Sequence, residues 1–179
     1  AADATRRYSK LISGIEDVTR HVLFMRPDYF VMLDNLAADG PHQYEWTGHF
    51  GQSVSVEGNW VRGDAENNLV LGVGIAAPQS FSLTTGDDGK PYARIRPAAS
   101  VDDVRLINVL YPTEDAAWST KPTGTTLADA GEAAAVKVQL NDGSGRVDDI
   151  LMTYVQPGIT INAGPYSYDG QAAVVTKGG

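Results

Sequence analysis

Residues 21–36, HVLFMRPDYFVMLDNL, set two apolar runs on either side of Arg26, Pro27 and Asp28 and place a lone carboxylate, Asp34, near the end of the second. Each run has the length of a strand, and Pro-Asp between them is turn chemistry. A two-residue turn at Pro27 and Asp28 makes Arg26 face Tyr29 and puts His21 across from Asp34. The same logic, applied to a second turn centred on Asp39, sets Tyr44 on the other side of Asp34. Directly opposed residues share a face of a sheet. His21, Asp34 and Tyr44 are therefore predicted to form a polar row across a face that also carries Leu23, Met25, Phe30, Met32, Leu36, Trp46 and Phe50. The other face, with Val22, Phe24, Val31 and Leu33, is apolar too, which predicts cover on both sides of this meander.

A buried carboxylate must find donors or take up a proton. His21 and Tyr44 are the donors this register supplies, and the row reads first as structural, holding strands in register. The catalytic alternative makes His21 a general base oriented by Asp34, with Tyr44 as acid. A slip of one residue in either hairpin dissolves both readings.

The same alternation and turn punctuation continue along the chain. Strands are predicted near 4–12, 18–26, 29–36, 42–50, 53–56, 60–63, 69–76, 80–84, 92–96, 104–111, 133–140, 147–154, 159–163 and 171–175. GDDGK at 86–90 and NDGSG at 141–145 read as hairpin tips. Residues 113–132, alanine-rich but without an apolar 3.6-residue stripe, read as a long loop. The fold class expected is all-β, a large antiparallel β-sandwich of two stacked sheets with little helix, in one domain spanning 1–179.

Composition narrows the functions. Fourteen Lys and Arg against 22 Asp and Glu give a formal charge of −8, with no basic cluster, so nucleic acid is not an expected partner. The same charge opposes broad capture of acidic sugars, although one local arginine pair could still hold a carboxylate. There is no cysteine, hence no disulfide or thiolate site. No apolar run is long enough for a membrane helix, and AADATRRYSK at the start lacks the order of a signal peptide. His42 and His49 fall on opposite faces of one predicted strand, and no histidine pair has ligand spacing, so no metal residue is assigned. GVGIAA at 72–77 lacks a phosphate-loop spacing, and Gly72 and Gly74 read instead as a close approach of another strand or a bulge. A nucleophile elbow is missing as well. Among the aromatics, Trp118 in the expected loop, and Tyr166 and Tyr168 flanking a turn in GPYSYDG, are the candidates for an exposed sugar contact.

Several strings in order resemble one family. DATRRY, VTRHVLFMRPDYFVMLDNL and PHQYEWTGHF, followed by LINVLYP and DDILMTYVQPGITINAGPYSYDGQAAVV, are similar to the C-terminal β-sandwich of heparinase II/III-like polysaccharide lyases. The resemblance implies a secreted or periplasmic enzyme that cleaves acidic, uronate-containing polysaccharides by β-elimination, with its catalytic residues mainly in an α/α toroid preceding the sandwich. It also implies that any zinc belongs upstream, since the H-x-H-x-D and H-N-T motifs do not occur here. No catalytic residue carries over onto this sequence; His21, Asp34 and Tyr44 match scaffold positions. The expectation is a non-catalytic sandwich that supports a missing toroid and lines the substrate cleft. The alternatives are a free-standing carbohydrate-binding module, or a structural or interaction domain without sugar affinity.

Overall fold

The chain is all β in a computed structural model, which describes residues 1–130, 133–153 and 160–178. Among these the longest helical stretch is the six-residue 3-10 segment Asp115–Thr120. The chain divides into two compact units, Ala1–Trp118 and Ser119–Gly179.

The first unit contains β1 (Ala2–Asp3), β2 (Ile15–Met25), β3 (Tyr29–His42), β4 (Trp46–His49), β5 (Ser53–Glu57), β6 (Trp60–Asp64), β7 (Leu69–Ala77), β8 (Phe81–Asp87), β9 (Pro91–Pro97) and β10 (Val101–Glu114). Seven of them form a sheet in the order β1-β2-β3-β10-β7-β6-β5, and three form a second in the order β4-β9-β8. Alternation aims Met32, Val61, Val73, Ile75 and Leu106 of the larger sheet at Trp46, Ala93 and Ile95 of the smaller, with Phe50 among them. Each large apolar side chain so enclosed stabilises the fold by roughly 1.5–3 kcal/mol. The second unit contains β11 (Thr123–Ala130), β12 (Ala133–Gln139), β13 (Val147–Thr153), β14 (Ile161–Ala163), β15 (Tyr166–Tyr168) and β16 (Ala172–Lys177). A four-stranded sheet, β11-β12-β13-β16, meets the β14-β15 pair around Ala133, Ala135, Leu151 and Ala163. Antiparallel layers were expected, but each unit has its own pair of sheets.

GDDGK and NDGSG are hairpin tips, closed by the pairs Asp87↔Pro91 and Gln139↔Val147. Other expectations need correction. The stretch expected as a loop over 113–132 is half in strands, with a 3-10 turn at Asp115–Thr120: β10 continues to Glu114, and β11 pairs with β12 from Thr123↔Gln139 to Ala130↔Ala133. Alanine has weak strand propensity, and cross-strand pairing overrides it; Gly131 and Glu132 lie outside the described residues. The strand expected over 4–12 gives way to a short helix at Thr5–Tyr8, where the Asp3 carboxylate accepts from the Thr5 N–H at 2.8 Å and turns the chain. The strand expected over 42–50 is split: His42 ends β3 and His49 ends β4, so the two histidines do not share a strand. Tyr154 and Ile159, at the ends of two expected strands, lie outside the described residues.

Candidate functional site

The neighbours of Asp34 follow from the turn before it. Met25 pairs with Tyr29, leaving three residues in the connection, and the Met25 carbonyl accepts from the Asp28 N–H at 2.8 Å. The two-residue hairpin turns favour positive φ at their centre, which Pro27 cannot adopt. One extra residue in the turn moves the register by one place, so Arg20, not His21, lies opposite Asp34. There is no second hairpin at Asp39 either. β3 runs on to His42, and its other neighbour is β10, with Leu106 opposite Asp34. The predicted row of His21, Asp34 and Tyr44 is therefore not formed.

Instead Arg20 grips Asp34 with both arms of its fork, Nε to Oδ1 at 2.5 Å and Nη2 to Oδ2 at 2.7 Å. The Asp34 side chain is 6% exposed and that of Arg20 49%. The hydrogen bonds to Asp34 raise the Arg20 pKa further. His21 pairs with Leu33 on the opposite face, buried, its Nε2 without a hydrogen-bond partner. Burial holds its imidazole below the usual range. The Tyr44 hydroxyl donates to the Asp102 carbonyl at 2.9 Å, and burial, with Asp103 and Asp102 nearby, pushes its pKa up.

Asp34 and Tyr44 nevertheless border one cavity of about 440 Å³, together with Arg20, His42 and apolar Ile15 and Leu36. The bidentate pair uses both carboxylate oxygens, so Asp34 is an engaged acceptor and not an available base. The wiring of a histidine base to Asp34 does not exist, because the two side chains leave opposite faces of the sheet. The pair acts as an electrostatic clamp between β2 and β3 at the wall of the cavity.

The aromatic candidates differ from expectation as well. Trp118 is only 8% exposed; its Nε1–H donates to Glu57 Oε2 at 2.7 Å, and it meets Trp60 edge-on with ring centroids 5.8 Å apart. It is a packing residue with no open ring face for a sugar. Gly72 and Gly74 make room for these rings: a Cβ would lie 2.7 Å from Trp118 Cζ3 and 2.6 Å from Trp60 Cζ2, respectively. The sequence suggests the approach of another strand or a bulge at these glycines; what comes close instead is a pair of indole side chains. Tyr166 and Tyr168 share a face of strand β15 and are half-buried against Ala133, Ala135 and Leu151. The Tyr166 hydroxyl donates to buried Asp149, which also accepts from Lys177 Nζ at 2.6 Å.

Arg20 was not singled out from the sequence, although it was the nearest cation on the facing strand and one register step away. A second group was missed, on β9. In PYARIRP, residues 91–97, the alternation that buries Ala93 and Ile95 turns Tyr92, Arg94 and Arg96 outward. Strand periodicity alone could have found it.

No protein-family model and no curated protein matches this sequence. Solved structures do. A heparinase III with methylated lysines shares the fold at a TM-score of 0.62 and 12% identity over 79% of this chain. A heparan sulfate lyase HepC mutant from Pedobacter heparinus does so at 0.62 and 13% over 81%, and another heparinase III at 0.61 and 18% over 78%. Identities this low establish a common fold. The chain spans only 24%, 25% and 24% of those three chains.

Proposed function

We propose that this chain is the non-catalytic β-sandwich portion of a heparinase II/III-like polysaccharide lyase, which acts on uronate-containing polysaccharides by β-elimination. In this reading it supports a catalytic toroid and contributes one wall of the substrate cleft. The observation that carries it is the common fold with heparinase III over about four fifths of the chain, against a quarter of those larger proteins. Two features of the residues support it. The strings that resemble the lyase sandwich run in the same order, and Asp34, the most suggestive carboxylate in the sequence, is held in an ion pair rather than wired to a base.

The lyase chemistry, any zinc and the secreted or periplasmic setting belong to the parent enzyme in this reading. Among the described residues no three His, Asp or Glu side chains gather as a metal site, and no helix is long and apolar enough to cross a membrane. The test is to incubate the chain with heparan sulfate, alginate and unsulfated uronic polymers and follow the ultraviolet absorbance of the unsaturated product. No rise above buffer is expected. Sustained turnover, abolished by Tyr44→Phe, would overturn the reading.

A further inference from the structure

The outward face of the small sheet β4-β9-β8 carries a cationic group on this acidic chain. β9 presents Tyr92, Arg94 and Arg96, and the facing strands add Thr47 and His49, with Glu45 just before β4. Outward neighbours along a strand stand roughly 6–7 Å apart, so the two guanidiniums lie side by side. Glu45 sits between them, hydrogen-bonded to Arg96 Nε and 3.4 Å from Arg94 Nε, an ion pair without a hydrogen bond. Burial pushes the Glu45 carboxyl up, but the Thr47 hydroxyl and the two guanidiniums outweigh it and hold its pKa below the ordinary value.

Two cations around one carboxylate leave one positive charge unanswered, and of the two Arg94 is the one not hydrogen-bonded to Glu45. The Arg94 guanidinium lies over the Tyr92 ring, 4.5 Å from its centroid, and the His49 ring is 6.0 Å from the same phenol. Gly86 admits Tyr92: a Cβ there would lie 2.4 Å from the phenolic oxygen. Arg94 makes no hydrogen bond among the described residues, while its side chain is 38% exposed and that of Arg96 48%. A guanidinium held on an aromatic ring, with its Nε buried and its outer nitrogens left to solvent, has less side-chain freedom to lose on binding.

We propose that this face binds an anionic glycan chain through a uronate carboxylate, with Arg94 as the anchor and Arg96 beside it. The carboxylate preference comes from the site itself: the arginines already bracket a carboxylate, and one surplus charge suits a monoanion better than a densely sulfated chain. That the carboxylate is borne by a polysaccharide rests on the lyase reading above.

The experiment titrates the full chain by calorimetry with an unsulfated uronate oligosaccharide, a heparan sulfate oligosaccharide and a neutral gluco-oligosaccharide. The uronate chain is expected to bind, more weakly as salt rises, and the neutral one to give no heat. Arg94→Gln with Arg96→Gln should weaken uronate binding about tenfold or more, while Arg6→Gln, far along the sequence on the short helix, should leave it unchanged. If the double variant melts early, Arg94→Lys, which keeps the charge but loses the planar fork, should still weaken binding several-fold. Absence of uronate binding, equal binding of the neutral sugar, or an unaffected Arg94 variant overturns the proposal. Tighter binding of the sulfated chain overturns the carboxylate preference. Turnover in the absorbance assay would remove the scaffold reading and leave the Arg94 result standing, so the two failures are distinct.

Discussion

Arg20 reaches water and Asp34 does not, so the two halves of their ion pair respond differently to truncation. Asp34→Ala leaves a half-exposed guanidinium that solvent can hydrate, and about 1–2 kcal/mol of stability should be lost in denaturant titration. Arg20→Ala strands a buried carboxylate without its donors and should cost about 3 kcal/mol or more at pH 7. Equal losses would show that Asp34 has other donors. His21 gives a second readout. Burial depresses its pKa in the fold, so the unfolded chain binds the proton first, and stability present above the ordinary imidazole value of about 6.5 declines as pH falls through the folded value. The melting temperature of the wild type should drop between pH 7.5 and 5.5, and His21→Gln should flatten that part of the profile. That Asp34 needs a donor was legible in the sequence. Which donor was not, because the answer turned on one residue in a turn.

At the scale of elements, the glycines of β7 are the sharpest test. Gly74→Ala drives a methyl into the Trp60 ring and Gly72→Ala one into Trp118; overpacking of this kind costs about 2 kcal/mol, and paired Trp60→Leu should recover part of the loss at Gly74. An unchanged melting temperature for Gly74→Ala would mean that the indole lies elsewhere. Strands with strong alternation and clear turns, such as β6, β7 and β9, could be read from the chain directly. β11 could not, since threonines and alanines carry no apolar period and only the partner strand defines it. The β3–β10 pairing joins Leu36 to Val104, and no local pattern announces a neighbour so distant in sequence. The same gap explains why Tyr44 was placed beside Asp34 as a bonded partner.

Over the whole molecule, charge sets the response to acid. Glu45, Asp64 and Asp149 are all held below their ordinary values: Asp64 first by the Ser53 hydroxyl, and the other two by partners that outweigh the opposing effect of burial. Unfolded, these carboxyls take up protons sooner, so their stabilisation is whole above about pH 4 and is lost as pH falls through the lower folded values. Acid titration by circular dichroism should therefore show a steep loss of structure below pH 4, and Asp149→Asn should make the midpoint less dependent on pH. Glu45 also has a bearing on how a ligand would be selected. A tethered carboxylate already occupies the notch between Arg94 and Arg96, so any incoming acid has a resident competitor at high local concentration. A single sugar acid gains little from that exchange, whereas a polymer, rebinding unit after unit, gains by repetition; the outcome is a threshold in chain length, set by one glutamate that the protein keeps for itself.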